Sequence, residues 1–187
     1  MIEVEIKIRL TDKEFSEIPF KFNNMGFSFE QKMRETDYYY DGIDRSFASS
    51  DEALRVRISQ NLSTDVIQSF LTYKGKKLDT ISKTRSEHEV AIDNSETMRS
   101  VLKCLGFKSS FIIEKIRTYY SYKNINICMD KVAKVGVFME LENVIINEAE
   151  KDNALNELFL LLEALSISKS RMERSSYLEL YILNCNN

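Results

Sequence analysis

The stretch Glu3-Val4-Glu5-Ile6-Lys7-Ile8-Arg9-Leu10 alternates charged and aliphatic residues without a break. Successive side chains leave a β-strand on opposite faces, so this period of two predicts a strand. One face then carries Glu3, Glu5, Lys7 and Arg9, and the other carries Ile2, Val4, Ile6, Ile8 and Leu10. Further along the chain, Leu54-Arg55-Val56-Arg57-Ile58 repeats the pattern. Arg85, Glu87 and Glu89 share a face, as do Lys115 with Arg117 and Glu140 with Glu142. Residues 31–40, 66–73 and 124–130 are further strand-like runs.

Helical periodicity punctuates these strands. Met98, Val101, Leu102 and Leu105 form one apolar stripe over 95–105, which Gly106 is placed to stop. Leu155, Leu158, Phe159, Leu162 and Leu165 form another over 154–165. Thr11 or Asp12 is expected to cap a short helix that meets Pro19, and a last helix is expected over 175–183. Many antiparallel strands with a few helices make an α+β fold.

The chain has 187 residues, 43% of them hydrophobic and 29% charged, and the proportions are those of an ordinary globular chain. One domain over 1–187 is expected. With 26 Lys and Arg against 29 Asp and Glu, the net charge of −3 argues against general nucleic-acid binding. No apolar stretch reaches the roughly 20 residues that span a bilayer, and no secretory signal is read at the start. The expectations are therefore no nucleic-acid or membrane partner and a cytoplasmic location. Cys104, Cys128 and Cys185 form no CxxC pair and read as reduced packing thiols. The single histidine, His88, excludes a multi-histidine metal site. Phosphate-binding glycine loops and a G-x-S-x-G elbow are absent. Chemistry must rest on carboxylates, Lys, Arg and Tyr.

The polar faces hold clustered carboxylates or clustered Arg and Lys, and their opposite faces are rich in Ile, Val, Leu and Tyr. A sheet with one wet face explains a single such strand. A closed barrel with a charged lumen, covered outside by helices, explains all of them together. A repeat supports closure from two halves. Glu3–Ile8, a helix, Met25-Gly26-Phe27 and Lys32-Met33-Arg34 match Glu87–Ile92, a helix, Leu105-Gly106-Phe107 and Lys115-Ile116-Arg117. On the inner face this reading places Lys7, Arg9, Arg55, Arg57, Lys74, Arg85, Lys115 and Arg117 against Glu3, Glu5, Glu87, Glu89, Asp130, Glu140 and Glu142. Mutual salt bridging accounts for part of the set. A polyphosphate with Mg²⁺ or Mn²⁺ uses both signs, since Arg grips phosphate oxygens and carboxylates hold hard cations.

Glu3-Val4-Glu5-Ile6-Lys7 matches an ExExK signature. It is followed in order by Leu54-Arg55-Val56-Arg57, Thr72-Tyr73-Lys74-Gly75, Arg85-Ser86-Glu87-His88-Glu89, Lys115-Ile116-Arg117, Met129-Asp130, Gly136–Glu142 and Ser176-Tyr177. This series resembles the CYTH family, the triphosphate tunnel metalloenzymes. Thr36–Tyr40, Arg45-Ser46-Phe47-Ala48, Asp51–Arg57 and Thr72–Asp79 are most similar to its class IV adenylyl cyclase group.

The resemblance implies an eight-stranded antiparallel tunnel with outer helices. It implies Glu3, Glu5 and Glu142 as metal ligands, with Glu140 and Asp130 behind them, and Arg55, Arg57, Lys74, Lys115 and Arg117 on the triphosphate. Lys7 sits beside the metal-bound phosphates, and Arg85 and Arg174 are secondary phosphate candidates. Lys7, Glu5 and Glu142 make the catalytic set. Glu87 and Glu89 hold a second metal or pair with cations, both readings standing open. His88 points to the other face, and Cys128 fills space in the phase of Asp130. The activity implied is a metal-dependent adenylyl cyclase, ATP to cyclic AMP and pyrophosphate. The alternatives are a triphosphatase on inorganic, nucleoside or thiamine triphosphate, and then a non-catalytic polyphosphate or nucleotide sensor. A triphosphate is the expected partner, with a homodimer left open. Arg57, read as a repelled cation facing a hydrated lumen, is expected to leave the ligand-free protein no less stable when replaced by Ala.

Overall fold

A computed structural model describes residues 2–47, 49–77 and 85–185. Ala48, Leu78 and Asp79 of the quoted motifs lie outside the described residues. The elements in order are β1 (Ile2–Arg9), α1 (Asp12–Met25), β2 (Ser28–Asp41), β3 (Ala53–Asn61), β4 (Ile67–Lys77), β5 (Arg85–Ile92), α2 (Ser95–Cys104), β6 (Lys108–Tyr122), β7 (Ile125–Val132), β8 (Gly136–Ile145), α3 (Lys151–Ala164) and α4 (Tyr177–Cys185). The strands close an antiparallel barrel in the order β1-β5-β4-β3-β2-β6-β7-β8.

Closure explains why β1 is buried on both faces. Val4, Ile6 and Ile8 are almost wholly buried in a core that also takes Ile127, Met139 and Leu141 from the sheet, Phe22 from α1 and Leu158 and Leu162 from α3. The opposite phase, Glu3, Glu5 and Lys7, turns into the barrel. A second core places Leu54 and Val56 of β3 beside Leu102 of α2. A third lies at one end of the barrel, where Tyr177 and Leu180 of α4 pack on Tyr39, Ile113, Val132 and Phe138. Among the described residues no helix is long and apolar enough to cross a membrane.

Two expectations are corrected. α1 does not end at Pro19 but runs through it to Met25. A proline inside a helix costs on the order of 3 kcal/mol. Burial of Phe22 beyond it returns about 1.5–3 kcal/mol of this. A capping box, Thr11 with Glu14, and Gly26 at φ 81° fix the two ends. The repeat holds as topology, since exchanging each strand of β1–β4 with its counterpart in β5–β8 leaves the neighbour order unchanged. It fails as residue equivalence in one place. Lys115 and Arg117 line the lumen, whereas Lys32 and Arg34 are exposed on the outer face, one residue out of phase.

Candidate active site

The register of β1 with β8 sets Glu5 opposite Glu142 and Lys7 opposite Glu140. Opposite residues share a face. Glu3, Glu5, Glu140 and Glu142 therefore converge on one wall of a cavity of about 850 Å³ inside the barrel. Burial pushes the Glu3 carboxyl well above the usual carboxylate range against the pull of Lys74, and Glu5, a hydrogen bond to Glu87 and Glu142 add to the rise. Burial, then Glu5, raises Glu142 as well. Lys74 Nζ stands 3.7 Å from Glu3 and 2.6 Å from Glu87. Glu87 is held down to about 2: burial opposes this, and Lys74, a hydrogen bond with Glu3 and Arg55 outweigh it. Glu87 and Glu89 thus stand as ion-pair partners of Lys74 and Arg55.

The other strands of the barrel supply the basic groups, which meet the carboxylate wall directly: Glu3 is paired across the strands with Arg85, and Arg117 bonds Glu140. Arg55 and Arg57 of β3, Lys74 of β4, Arg85 of β5, and Lys115 and Arg117 of β6 all line the same cavity, as the alternation predicts. Two buried carboxylates stand behind them that the sequence did not single out. Asp37 accepts from Arg57 Nε and Nη2 at 2.6 and 2.8 Å. It also lies 3.5 Å from Arg55 and 3.6 Å from Lys115. Glu35 lies 3.1 Å from Arg57 and 3.0 Å from Lys115, and it accepts the Tyr119 hydroxyl at 2.8 Å. Burial opposes ionisation of both, but the surrounding cations outweigh it and hold both well below the usual carboxylate range. Arg57 is thus not a repelled cation in water. It is the centre of a buried ion-pair cluster, which overturns the expectation that its removal costs no stability.

Four further expectations are corrected by where the side chains sit. Asp130 has the right phase but is wholly buried, and does not line the cavity. It accepts from Arg117 Nε at 2.7 Å and Nη2 at 2.5 Å, and from the Tyr177 hydroxyl at 2.7 Å. It orients a cation and anchors α4. Lys7 is 1% exposed and is also missing from the cavity lining. Its ammonium donates to the Ser175 carbonyl and lies 4.3 Å from the centre of the Tyr177 ring. Arg174 is exposed on the segment before α4 and lies outside the lining. Arg9 likewise leaves the lumen, donating to the Val135 carbonyl at 3.2 Å over the Phe138 ring. Glu140 keeps its place on the cavity and pairs with Arg117. His88 borders the cavity between Glu87 and Glu89, with its ring turned away and stacked on Tyr73. Cys128 is buried and packs in the phase of Asp130.

The donor set fits a divalent cation. Nine acidic and six basic side chains line the cavity, so a polyanion entering it needs further positive charge. Glu3, Glu5 and Glu142 offer hard oxygen atoms on adjoining strands. Among the described residues no three such side chains are gathered into a finished metal cage.

The CYTH domain model matches residues 1–177. The chain belongs to the CYTH family. Over 180 residues it is 45% identical to a protein of Methanocaldococcus jannaschii named "Putative adenylate cyclase MJ0240", covering 96% of this chain and 98% of that one. It is 28% identical over 175 residues to "Adenylate cyclase CyaB" of Aeromonas hydrophila, covering 94% and 86%. A solved structure, the PH1819 protein of Pyrococcus horikoshii, superposes with a TM-score of 0.87 at 35% identity over 97% of this chain and 98% of that one. The eight-stranded antiparallel barrel is thus the CYTH architecture, and the triphosphate-processing character of the family comes with it.

Proposed function

We propose that this CYTH protein is a metal-dependent adenylyl cyclase that converts ATP to cyclic AMP and pyrophosphate. The observation that carries the reading is one lumen of about 850 Å³ that brings a carboxylate wall and a set of basic groups together. The names of the M. jannaschii and A. hydrophila relatives favour the cyclase over its alternatives. In the reaction the ribose 3′-oxygen attacks the α-phosphorus, the bond from that phosphorus to the α,β-bridging oxygen breaks, and pyrophosphate leaves. Little covalent work falls to the protein. Arg55, Arg57, Lys74, Lys115 and Arg117 would bind and align the phosphates and offset their growing charge, with Arg85 at the rim. Glu3, Glu5 and Glu142, with Glu140 beside them, would hold Mg²⁺ or Mn²⁺. Bound there, the ion supplies Lewis-acid polarisation of the phosphoryl oxygens.

Hydrolysis of a terminal phosphoryl group is the second reading. Its support is that the aromatic rings on the cavity are engaged: Tyr119 is bonded to Glu35, Tyr177 to Asp130, and Tyr39 is packed in the α4 core. A linear polyphosphate needs no ring for stacking. Incubation with ATP and with inorganic triphosphate, each with Mg²⁺ or Mn²⁺, separates the readings. Cyclic AMP supports the cyclase, orthophosphate alone the triphosphatase, and no product from either substrate overturns the enzymatic reading in favour of a sensor.

A further inference from the structure

Arg57 and Lys115 line the cavity, yet both are drawn to carboxylates behind it: Arg57 gives two of its N–H groups to Asp37, and Lys115 is ion-paired with Glu35. Arg57 has five N–H donors and Lys115 has three. Arg57 gives Nε and Nη2 to Asp37 and holds Nη1 3.1 Å from Glu35. Lys115 stands 3.0 Å from Glu35 and 3.6 Å from Asp37. The side chains of these four residues are at most 10% exposed. Two cations and two carboxylates form the centre of this cluster at the floor of the lumen, and Arg55, 3.5 Å from Asp37, adds a third cation at its edge. Arg55, Lys74 and Arg85 differ, since their nearest carboxylates, apart from Asp37, are 20–41% exposed in the side chain.

We propose that Glu35 and Asp37 are positioning residues that hold Arg57 and Lys115 in place with part of their donor capacity already used, and so limit how tightly the site grips a phosphate chain. This rests on the reading of the lumen as a triphosphate site. A cluster of bare cations would bind a triphosphate tightly and would bind the phosphate product tightly as well. Binding that strengthens substrate and product alike does not accelerate turnover. The two carboxylates fix the geometry of the cations and lower their net charge. Tyr119 and Ser59 hold Glu35 from the side away from Lys115, so the clamp is itself clamped.

The test measures inorganic triphosphate binding by calorimetry in EDTA, chosen to suppress turnover, with orthophosphate assayed in the same samples. Wild type, Glu35→Gln and the charge-compensated Glu35→Gln/Lys115→Gln variant are compared. Glu35→Gln should bind triphosphate about tenfold tighter, because it removes a negative charge beside the phosphate path in a low-dielectric site. Its kcat should fall while its KM falls too. The double variant should return to within about threefold of wild type, since it removes a neutral pair. Unchanged or weaker binding by a folded Glu35→Gln overturns the proposal. If the single variant does not fold, the double variant decides alone: near-wild-type affinity supports the proposal, and a loss of about tenfold or more overturns it. If wild type itself does not bind triphosphate, the reading of the lumen has failed instead.

Discussion

The two walls of the lumen draw on the same residue types and reach opposite electrostatic states. At the floor, Glu35 and Asp37 face Arg57 and Lys115 at 2.6–3.6 Å, and the carboxyls are held below their usual range. On the β1–β8 wall, Glu5 is paired across the strands with another carboxylate, Glu142, and the Glu3 and Glu142 carboxyls are held above theirs. The floor is balanced by the protein itself. The wall carries an excess of negative charge that a bound cation would balance. Substitutions should therefore sort by wall: at the floor they should act first on stability, and on the acidic wall first on activity.

The largest effect is expected on the acidic wall. If the proposed metal reading is right, Glu5→Gln or Glu142→Gln should lower cyclic AMP or orthophosphate production by roughly 10²-fold or more, because each would remove charge and an oxygen donor from the proposed cation site. Excess EDTA should do the same to wild type. The ligand-free melting temperature of both variants should match or exceed that of wild type, since one of two facing carboxylates is neutralised. Full turnover in EDTA, or a large loss of stability in these variants, would contradict the division between the walls.

At the floor the order reverses. Arg57→Ala leaves Glu35 and Asp37 buried without their principal partner, and breaking a buried pair from one side costs about 3–5 kcal/mol. Urea titrations of Arg57→Ala and Glu142→Gln side by side should show the loss in the first alone. Equal midpoints would mean that the floor cluster is not a stability element.

Much of this is legible in the amino-acid sequence. The alternation in Glu3–Leu10 and Leu54–Ile58 identifies the correct inner face, because a buried outer face leaves only one phase for charge. Glu35 and Asp37 do not stand out in the same way because β2 carries charge on both faces. Lys32 and Arg34 point out, Glu35 and Asp37 point in, and a run charged at both phases marks neither. Only the register with Arg57 and Lys115 reveals them. The repeat-based match of Lys32-Met33-Arg34 to Lys115-Ile116-Arg117 slips for the same reason. Lys7 and Asp130 are right in phase and wrong in depth. Alternation reports the face of a strand, but where α4 seals the barrel is decided by tertiary packing of Tyr177 and Leu180.

The smallest effect is a difference in pH dependence, and it separates the walls by sign. A carboxyl held below its unfolded value contributes stability above that value, near 4, and loses it as pH falls through the folded pKa. Glu35 and Asp37 belong to this class. A carboxyl held above its unfolded value does the reverse: its contribution is full below about 4.3 and is lost as pH rises through the folded pKa. Glu3 and Glu142 belong to this class. A tenfold change in a carboxyl's proton affinity is worth about 1.4 kcal/mol at most, and the neighbouring carboxyls share protons, so the net slopes are modest. Chemical denaturation in EDTA from pH 3 to 8 should show Asp37→Asn with a weakened loss below about pH 4. Glu142→Gln should keep that acid loss and show a smaller decline above it. If both variants alter the same limb of the profile, the two walls titrate as one network, and the division between a balanced floor and a cation-seeking wall is wrong.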